Sequence, residues 1–402
     1  MVLLDRARAL GPNLIDIRRD LHRHPELSFQ EIRTAGIAAH EAESAGFSVR
    51  TGVARTGVVA ELENGSGPTV AIRADMDALP IQEESDAPYA SQVPGVMHAC
   101  GHDFHTAGLI GVARLLSQLK EEGSLPPGRI RLLFQPSEEG ADTENKSGAM
   151  RMVEEGVMQG VDAVIGLHVG AHLPAGRIFL REGPFFAGSD EVVVTVRGKG
   201  AHAARPHDGV DAIALASLGV VAAQQVVSRG LSPTMRGVLT FGTMNGGTAP
   251  NVIADRVVLM GTLRYFEAEA RSRIRAGIQR AFGSVDAMGA RCEVQFRDGY
   301  PPVVNDPLIT RYLREAAAPF VGGEDGFLSG EPNMEAEDFS FLAREAPGAF
   351  FWLGAALPRA RGHHHSDFDI DESVLPLGAA LLTRSATQIL ERLGKDGTGS
   401  AT

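Results

Sequence analysis

Residues 189–299 read as strand, helix, strand, strand, helix, strand, and that order leaves a chain few ways to fold. The strand patterns are "DEVVVTVRGKG", "MRGVLTFGTMNGG", "RVVLMGTLRY" and "RCEVQFRDG"; the helical ones are "GVDAIALASLGVVAAQQVVSR" and "EAEARSRIRAGIQRAFGSV". This is the rhythm of a ferredoxin-like two-layer α+β domain. The flanks differ. "LIDIRRDLHRHPE" suits a helix halted before Pro25, "TVAIRADMDALP" a buried strand running into a loop, and "TAGLIGVARLLSQLKEEG" an amphipathic helix ending near Gly123. "RIRLLFQPSEEG", "DAVIGLHVG" and, after Tyr300, "AFFWLGA" are short apolar strands. Such alternation predicts an α/β domain with a mostly parallel sheet and flanking helices. The expected organisation is therefore a small domain, residues 188–299, inserted into a larger one made of 1–187 and 300–402. The tail "GKDGTGSAT" is expected to lack structure.

The chain's 402 residues suffice for two domains with sizeable cores. A formal net charge of −12 argues against nucleic acid or an anionic membrane as partner, since both reward clustered Lys and Arg. Two cysteines, Cys100 and Cys292, are too few for a disulfide framework, and "MVLLDRARAL" breaks its apolar residues with charges, unlike a secretory signal. A cytoplasmic protein is expected. The most apolar helical stretch, "AIALASLGVVAAQQVV", is interrupted by Ser, Gly and Gln and reads as a packed helix rather than a membrane span.

Polar clusters fall where predicted strands end or a helix begins: Asp75 and Asp77; Cys100, His102 and Asp103; Glu138 and Glu139; His168; and "HHHSDFD" near the C-terminus. In open α/β sheets, ligands bind outside the carboxyl ends of strands. Singly, each cluster has an ordinary reading as a core histidine, a solvated acidic loop or a small buried thiol. Together they assemble thiolate, imidazole and carboxylate, the donor set of Zn²⁺, or of Mn²⁺, Co²⁺ or Ni²⁺. Asp77 is a candidate acceptor to hold a ligand imidazole in one tautomer. In the pair Glu138–Glu139, one carboxylate can bind metal while its neighbour stays free as a base.

The segments "LHRHPELSFQE", "AIRADMDALP", "MHACGHDFHTA", "LLFQPSEEG", "GLHV", "GKGAHAARPH", "PNVIADRVVLMGTLR" and "MEAEDFSFL" resemble, in order and spacing, the amidohydrolase branch of the aminoacylase and carboxypeptidase family of two-metal peptidases. The resemblance covers roughly residues 10–390. It implies that Cys100, His102, Glu139, His168 and one terminal histidine are metal ligands, with two ions per subunit, and that Glu138 is the general base. Counting back from "DFD" selects His364, with His363 and His365 as rivals. The wider family's first metal-binding histidine is replaced at or near Asp75, which leaves the second ion's identity and occupancy open. The insert resembles a lid and dimerisation domain, whose His202 matches a histidine reaching the reacting carbonyl across a homodimer. Asn251 and Arg264 match positions that grip a substrate carboxylate. His22 and His24 are expected to shape a helix end, and His105 and Cys292 to be structural. The implied activity is hydrolysis of N-acyl amino acids to a carboxylic acid and a free amino acid. A dipeptidase or carboxypeptidase on the same scaffold, and a catalytically silent binder of amino-acid derivatives, are the alternatives.

Overall fold

The computed structural model describes residues 2–359 and 362–399, the side chains of 396–399 excepted. The chain forms two compact units: Met1–Phe185, Val304–Glu331 and Asp338–Thr402 in the first, and Phe186–Val303 with Pro332–Glu337 in the second.

In chain order the elements are α1 (Val2–Arg23), α2 (Ile32–Ser44), β1 (Ser48–Val53), β2 (Gly57–Asn64), β3 (Thr69–Asp75), α3 (His102–Glu121), β4 (Gly128–Gln135), α4 (Gly148–Glu154), β5 (Ala163–Pro174), β6 (Ile178–Phe179) and β7 (Gly183–Phe186). There follow β8 (Gly188–Arg197), α5 (Ala212–Gly230), β9 (Gly237–Gly246), β10 (Arg256–Tyr265), α6 (Ala268–Asp286) and β11 (Arg291–Asp298). The chain then runs through β12 (Val303–Asn305), α7 (Pro307–Ala317), β13 (Phe327–Leu328), α8 (Phe339–Glu345), β14 (Gly348–Ala356) and α9 (Leu375–Gly399). The expected unstructured tail is helical to Gly399, each residue adding one hydrogen bond to an existing helix; residues 400–402 lie outside the described residues.

The first unit is built on an eight-stranded sheet ordered β1-β2-β4-β3-β5-β14-β6-β13. Its centre, β4-β3-β5-β14, is parallel, while β1-β2, β2-β4 and β14-β6 pair antiparallel. All seven residues of β3 are buried, as a strand covered on both faces requires. Helices α1, α3 and α9 pack on one another, and α3 and α9 pack on β3 and β5. Phe104, Leu109, Ile110, Leu115, Ile72 and Leu353 sit in this core at 1% exposure or less, each contributing about 1.5–3 kcal/mol of burial. The four parallel strands end at one edge, and that edge carries the polar clusters.

The second unit has a four-stranded antiparallel sheet ordered β11-β8-β10-β9, with α5 and α6 packed together and against it. Ranked by chain order, the strands stand 4-1-3-2, the ferredoxin-like arrangement. Asp211 caps α5 by accepting the N–H groups of Ile213 and Ala214. Helix α5 packs on its domain through one face only. Ala212, Ala216, Gly219, Ala223 and Val226 face the core, while Leu218 is 50% and Val221 66% exposed. By length and composition α5 is apolar enough to cross a membrane, although one face and its cap are committed to this domain.

Candidate metal centre

Three backbone turns set the site, each with a residue in the left-handed region. Gly101 (φ +88) joins Cys100 to α3, and a Cβ there would lie 2.4 Å from Val169 Cγ1, so only glycine fits. Ser137 (φ 48) directs Glu138 and Glu139 off the end of β4, and His364 (φ 60) turns its own side chain beyond β14. For a non-glycine residue this conformation costs about 1–2 kcal/mol. Tertiary bonds hold both turns: Ser137 N–H donates to Glu31 Oε1 (2.9 Å), and His364 N–H to the carbonyl of Ala99 (2.8 Å). Strain retained in this way clusters where geometry serves function.

The structure brings Cys100, His102, Glu139, His168 and His364 to one place. Cys100 Sγ is 3.4 Å from His168 Nε2, His364 Nε2 is 3.0 Å from Glu139 Oε1, and His102 Nε2 is 4.0 Å from Glu139 Oε1. Cys100 forms one close group with His102 and His168 and another with Glu139 and His364, so its sulfur stands between two potential ion positions. Of the three terminal histidines, His364 alone joins these groups among the described residues. His363 Nε2 accepts the Ala171 N–H, and His365 pairs with Asp367.

The donor set fits a divalent cation. Atoms held about 2.0–2.3 Å from one tetrahedral ion stand about 3.3–3.7 Å apart, which brackets the thiol–imidazole separation. His102 Nε2 is buried without a hydrogen-bond partner, which is costly unless something else meets it. The tautomers agree: His102 Nδ1 donates to Asp77 Oδ1 (3.2 Å) and His168 Nδ1 to the carbonyl of Val169 (2.9 Å), leaving both Nε2 lone pairs for an ion. Electrostatics point the same way. Burial works against a charged imidazole, yet Asp75 and Asp77 outweigh it and push His102 up to about 10 in the metal-free protein. Burial, with Glu139, Glu138 and Asp75, raises the Cys100 thiol well above its usual range. The metal-free cluster therefore retains protons that a cation would replace.

Asp77, buried to 1% exposure, also accepts the hydroxyl of Ser28 and the backbone N–H groups of Glu138 and Glu139. The sequence does not mark Ser28 or Glu31 for this supporting role, since each acts across long chain separations. His22 bonds Asp103 and Glu83, and His24 the carbonyl of Asp20, so neither belongs to the cluster.

His202, Asn251 and Arg264 belong to the second unit. Two loops place the first two side by side: His202 bridges to Val252, and Ala203 N–H donates to the carbonyl of Asn251 (3.0 Å). His202 is exposed, and its Nδ1 accepts the Ala204 N–H (3.1 Å), so the proton sits on Nε2. Arg264 lies on β10 opposite Ser189 and Val238; burial lowers its pKa, and the Glu335 carboxylate partly offsets that.

Comparison with known proteins gives one consistent result. The family described as Peptidase family M20/M25/M40 matches residues 71–388. The N-acetyl-L-cysteine deacetylase of Bacillus subtilis is 41% identical over 387 residues, 95% of this chain and 89% of that one. An IAA-amino acid hydrolase of Arabidopsis thaliana is 38% identical, over 94% and 86% of the two chains. A Bacillus subtilis crystal structure, described as a dinuclear metal-binding peptidase, superposes with a TM-score of 0.82 at 36% identity, covering 95% of this chain and 99% of that one.

Proposed function

The chain belongs to peptidase family M20/M25/M40, and from that membership we propose that it hydrolyses the amide bond of N-acyl amino acids, releasing a carboxylic acid and a free amino acid. It is a metal-dependent hydrolase. The observation that carries the reading is the meeting of Cys100, His102, Glu139, His168 and His364 with Glu138 directly beside a ligand. A binding protein has no use for a second carboxylate there.

These five residues would hold divalent ions, two per subunit and drawn from Zn²⁺, Mn²⁺, Co²⁺ or Ni²⁺, which when bound would supply Lewis acidity towards the carbonyl and lower the pKa of water. Glu138 takes the water's proton and delivers it to the leaving nitrogen, a role worth about 10² to 10⁴ in rate. His202, protonated on Nε2, donates to the oxyanion, where losing one donor costs about 10² to 10³. Asn251 and Arg264 bind the substrate carboxylate. Residues 1–187 and 300–402 serve as the catalytic domain and 188–299 as lid and dimerisation domain.

The active unit is a homodimer in which His202 of one copy serves the site of the other. Two features of the second unit support an interface. Strand β9 is outermost in its sheet, with Thr240 and 242–246 exposed, and α5 presents Leu218 and Val221 beside it. An exposed edge of this kind invites strand pairing, and a two-fold partner closes it. A thiol that has to stay reduced to bind metal suits the cytoplasm.

A panel of N-acetyl, N-benzoyl and indole-acetyl amino acids and dipeptides, assayed with each metal, tests this reading. Release of amino acid from the N-acyl compounds is the expected result. Cleavage of dipeptides alone would establish an exopeptidase instead, the reading favoured by the similar structure described as a peptidase.

A further inference from the structure

Asp75 and His105 have no part in the chemistry above, yet they sit fully enclosed between two of the metal-binding histidines. His105 lies one turn beyond His102 on α3, so the two share a helix face and their rings stack at 5.4 Å. The His105 ring also meets His168 edge-on at 4.6 Å. Its Nε2 accepts the backbone N–H of Val169 at 2.9 Å, while Nδ1 lies 2.5 Å from Asp75 Oδ1. A ring nitrogen that accepts an amide N–H cannot itself carry the proton, so the proton is on Nδ1, facing the carboxylate.

Both ends of this arrangement are anchored. Asp75 Oδ2 accepts from Arg73 (2.7 Å), which also donates to Asp338 (2.8 Å) and Gln135 (2.8 Å), and Thr106 Oγ1 donates to the carbonyl of Asp75 (3.0 Å). Arg73, Asp75, His105, Gln135 and Asp338 are at most 3% exposed. At the other end, Val169 is bonded twice. Its N–H goes to His105, and its carbonyl accepts the Nδ1 proton of His168, the bond that leaves His168 Nε2 free. One peptide unit on each side of Val169 therefore couples α3 to the tautomer of a ligand on β5.

We propose that Asp75 and His105 form a positioning dyad that fixes the Val169 backbone, and through it the spacing and ligating tautomer of His168 relative to His102. The dyad does not touch substrate. Asparagine cannot replace Asp75, because the carboxylate accepts from Arg73 on one oxygen and from His105 on the other. In either orientation the amide nitrogen would face a donor, or would force His105 into the tautomer that turns an N–H against the Val169 N–H. A tautomer forced in this way is known to disable a histidine in other enzymes. His105→Gln retains an acceptor for Val169, whereas His105→Phe retains the ring and loses both bonds.

The inference rests on the metal reading of His168, and two measurements separate them. Nitrogen-15 NMR of histidines in the metal-free wild-type protein should show His105 protonated on Nδ1 alone. Titration with Co²⁺ against a competing chelator, with ions counted per chain, should show Asp75→Asn and His105→Phe weakening the ion by about 10- to 100-fold, with His105→Gln losing less. A packing role would reverse that order, since phenylalanine is the better match in shape. His105 protonated on Nε2, or Phe tolerated better than Gln, overturns the dyad. The NMR result decides even if a variant fails to fold. A wild-type chain that holds no ion overturns the metal reading as well, whereas equal affinity in folded variants overturns this inference alone.

Discussion

Asp77 Oδ1 lies 3.2 Å from His102 Nδ1 and 3.0 Å from the backbone nitrogen of Glu138, and its Oδ2 accepts from Ser28 and from the nitrogen of Glu139. One buried carboxylate thus fixes the rotation of the His102 imidazole and the direction of the acid pair together. Asp77→Asn leaves an amide nitrogen facing a donor in either orientation. Metal affinity should fall about 10- to 100-fold, as measured by chelator competition, with turnover falling alongside. Unchanged affinity would reduce Asp77 to a packing residue.

Cys100 stands between two groups of candidate ligands, so Cys100→Ala should lower bound metal and abolish turnover while the circular dichroism spectrum is retained. The Co²⁺ form of the wild-type enzyme should carry a sulfur-to-metal absorption band that this variant lacks. A variant with normal ion content and rate would show that the thiol only fills space.

Glu31 supports the same edge from below. Burial, and then the nearby Asp77 charge, raise its pKa from 4.5 to about 7, while it accepts the N–H groups of Phe29 and Ser137. The native state therefore binds more protons than the unfolded state between these values, and stability from this group is complete below about 4.5 and lost as pH rises through about 7. Glu31→Gln imitates the protonated form. Urea unfolding of metal-free protein should show the variant gaining on wild type by on the order of 2–3 kcal/mol between pH 4.5 and 8. A difference independent of pH would contradict the assignment.

The homodimer has a test of its own. His202→Ala and Glu138→Gln chains, each nearly inactive, should on subunit exchange form heterodimers with one complete site and recover part of the wild-type rate. Val221→Glu, on the exposed face of α5, should shift the protein towards monomer in sedimentation and lower the rate. Demonstrated exchange without recovery would place His202 in its own copy's site.

Much of this is legible in the sequence, because strand ends and ligand types coincide there. Cys100 and His102 flank a glycine at a helix start, and Glu138–Glu139 follow an apolar strand. Backbone conformation is not legible. Nothing in "HHHSDF" says that His364 takes a left-handed φ and turns to Glu139 while His363 is held by Ala171. Asp77 is readable as an acceptor for a histidine, but only tertiary partners show that this histidine is His102 and that Asp75 takes His105. The apolar run of α5 reads as a packed helix, but composition does not say that only one of its faces is covered. Pro332–Glu337 joins the second unit through the N–H of Ala187, which donates to the carbonyls of Asn333 and Glu335, an attachment with no periodic signature.

The central claim is that one of two adjacent carboxylates binds metal and the other moves a proton, and the most direct test is to count ions and turnover in Glu138→Gln and Glu139→Gln side by side. The account predicts that Glu138→Gln keeps the wild-type metal content and substrate affinity but loses about 10²-fold or more in kcat. Glu139→Gln should lose metal, and its activity with it. Equal metal loss in both variants, or near-normal turnover by Glu138→Gln, would contradict it.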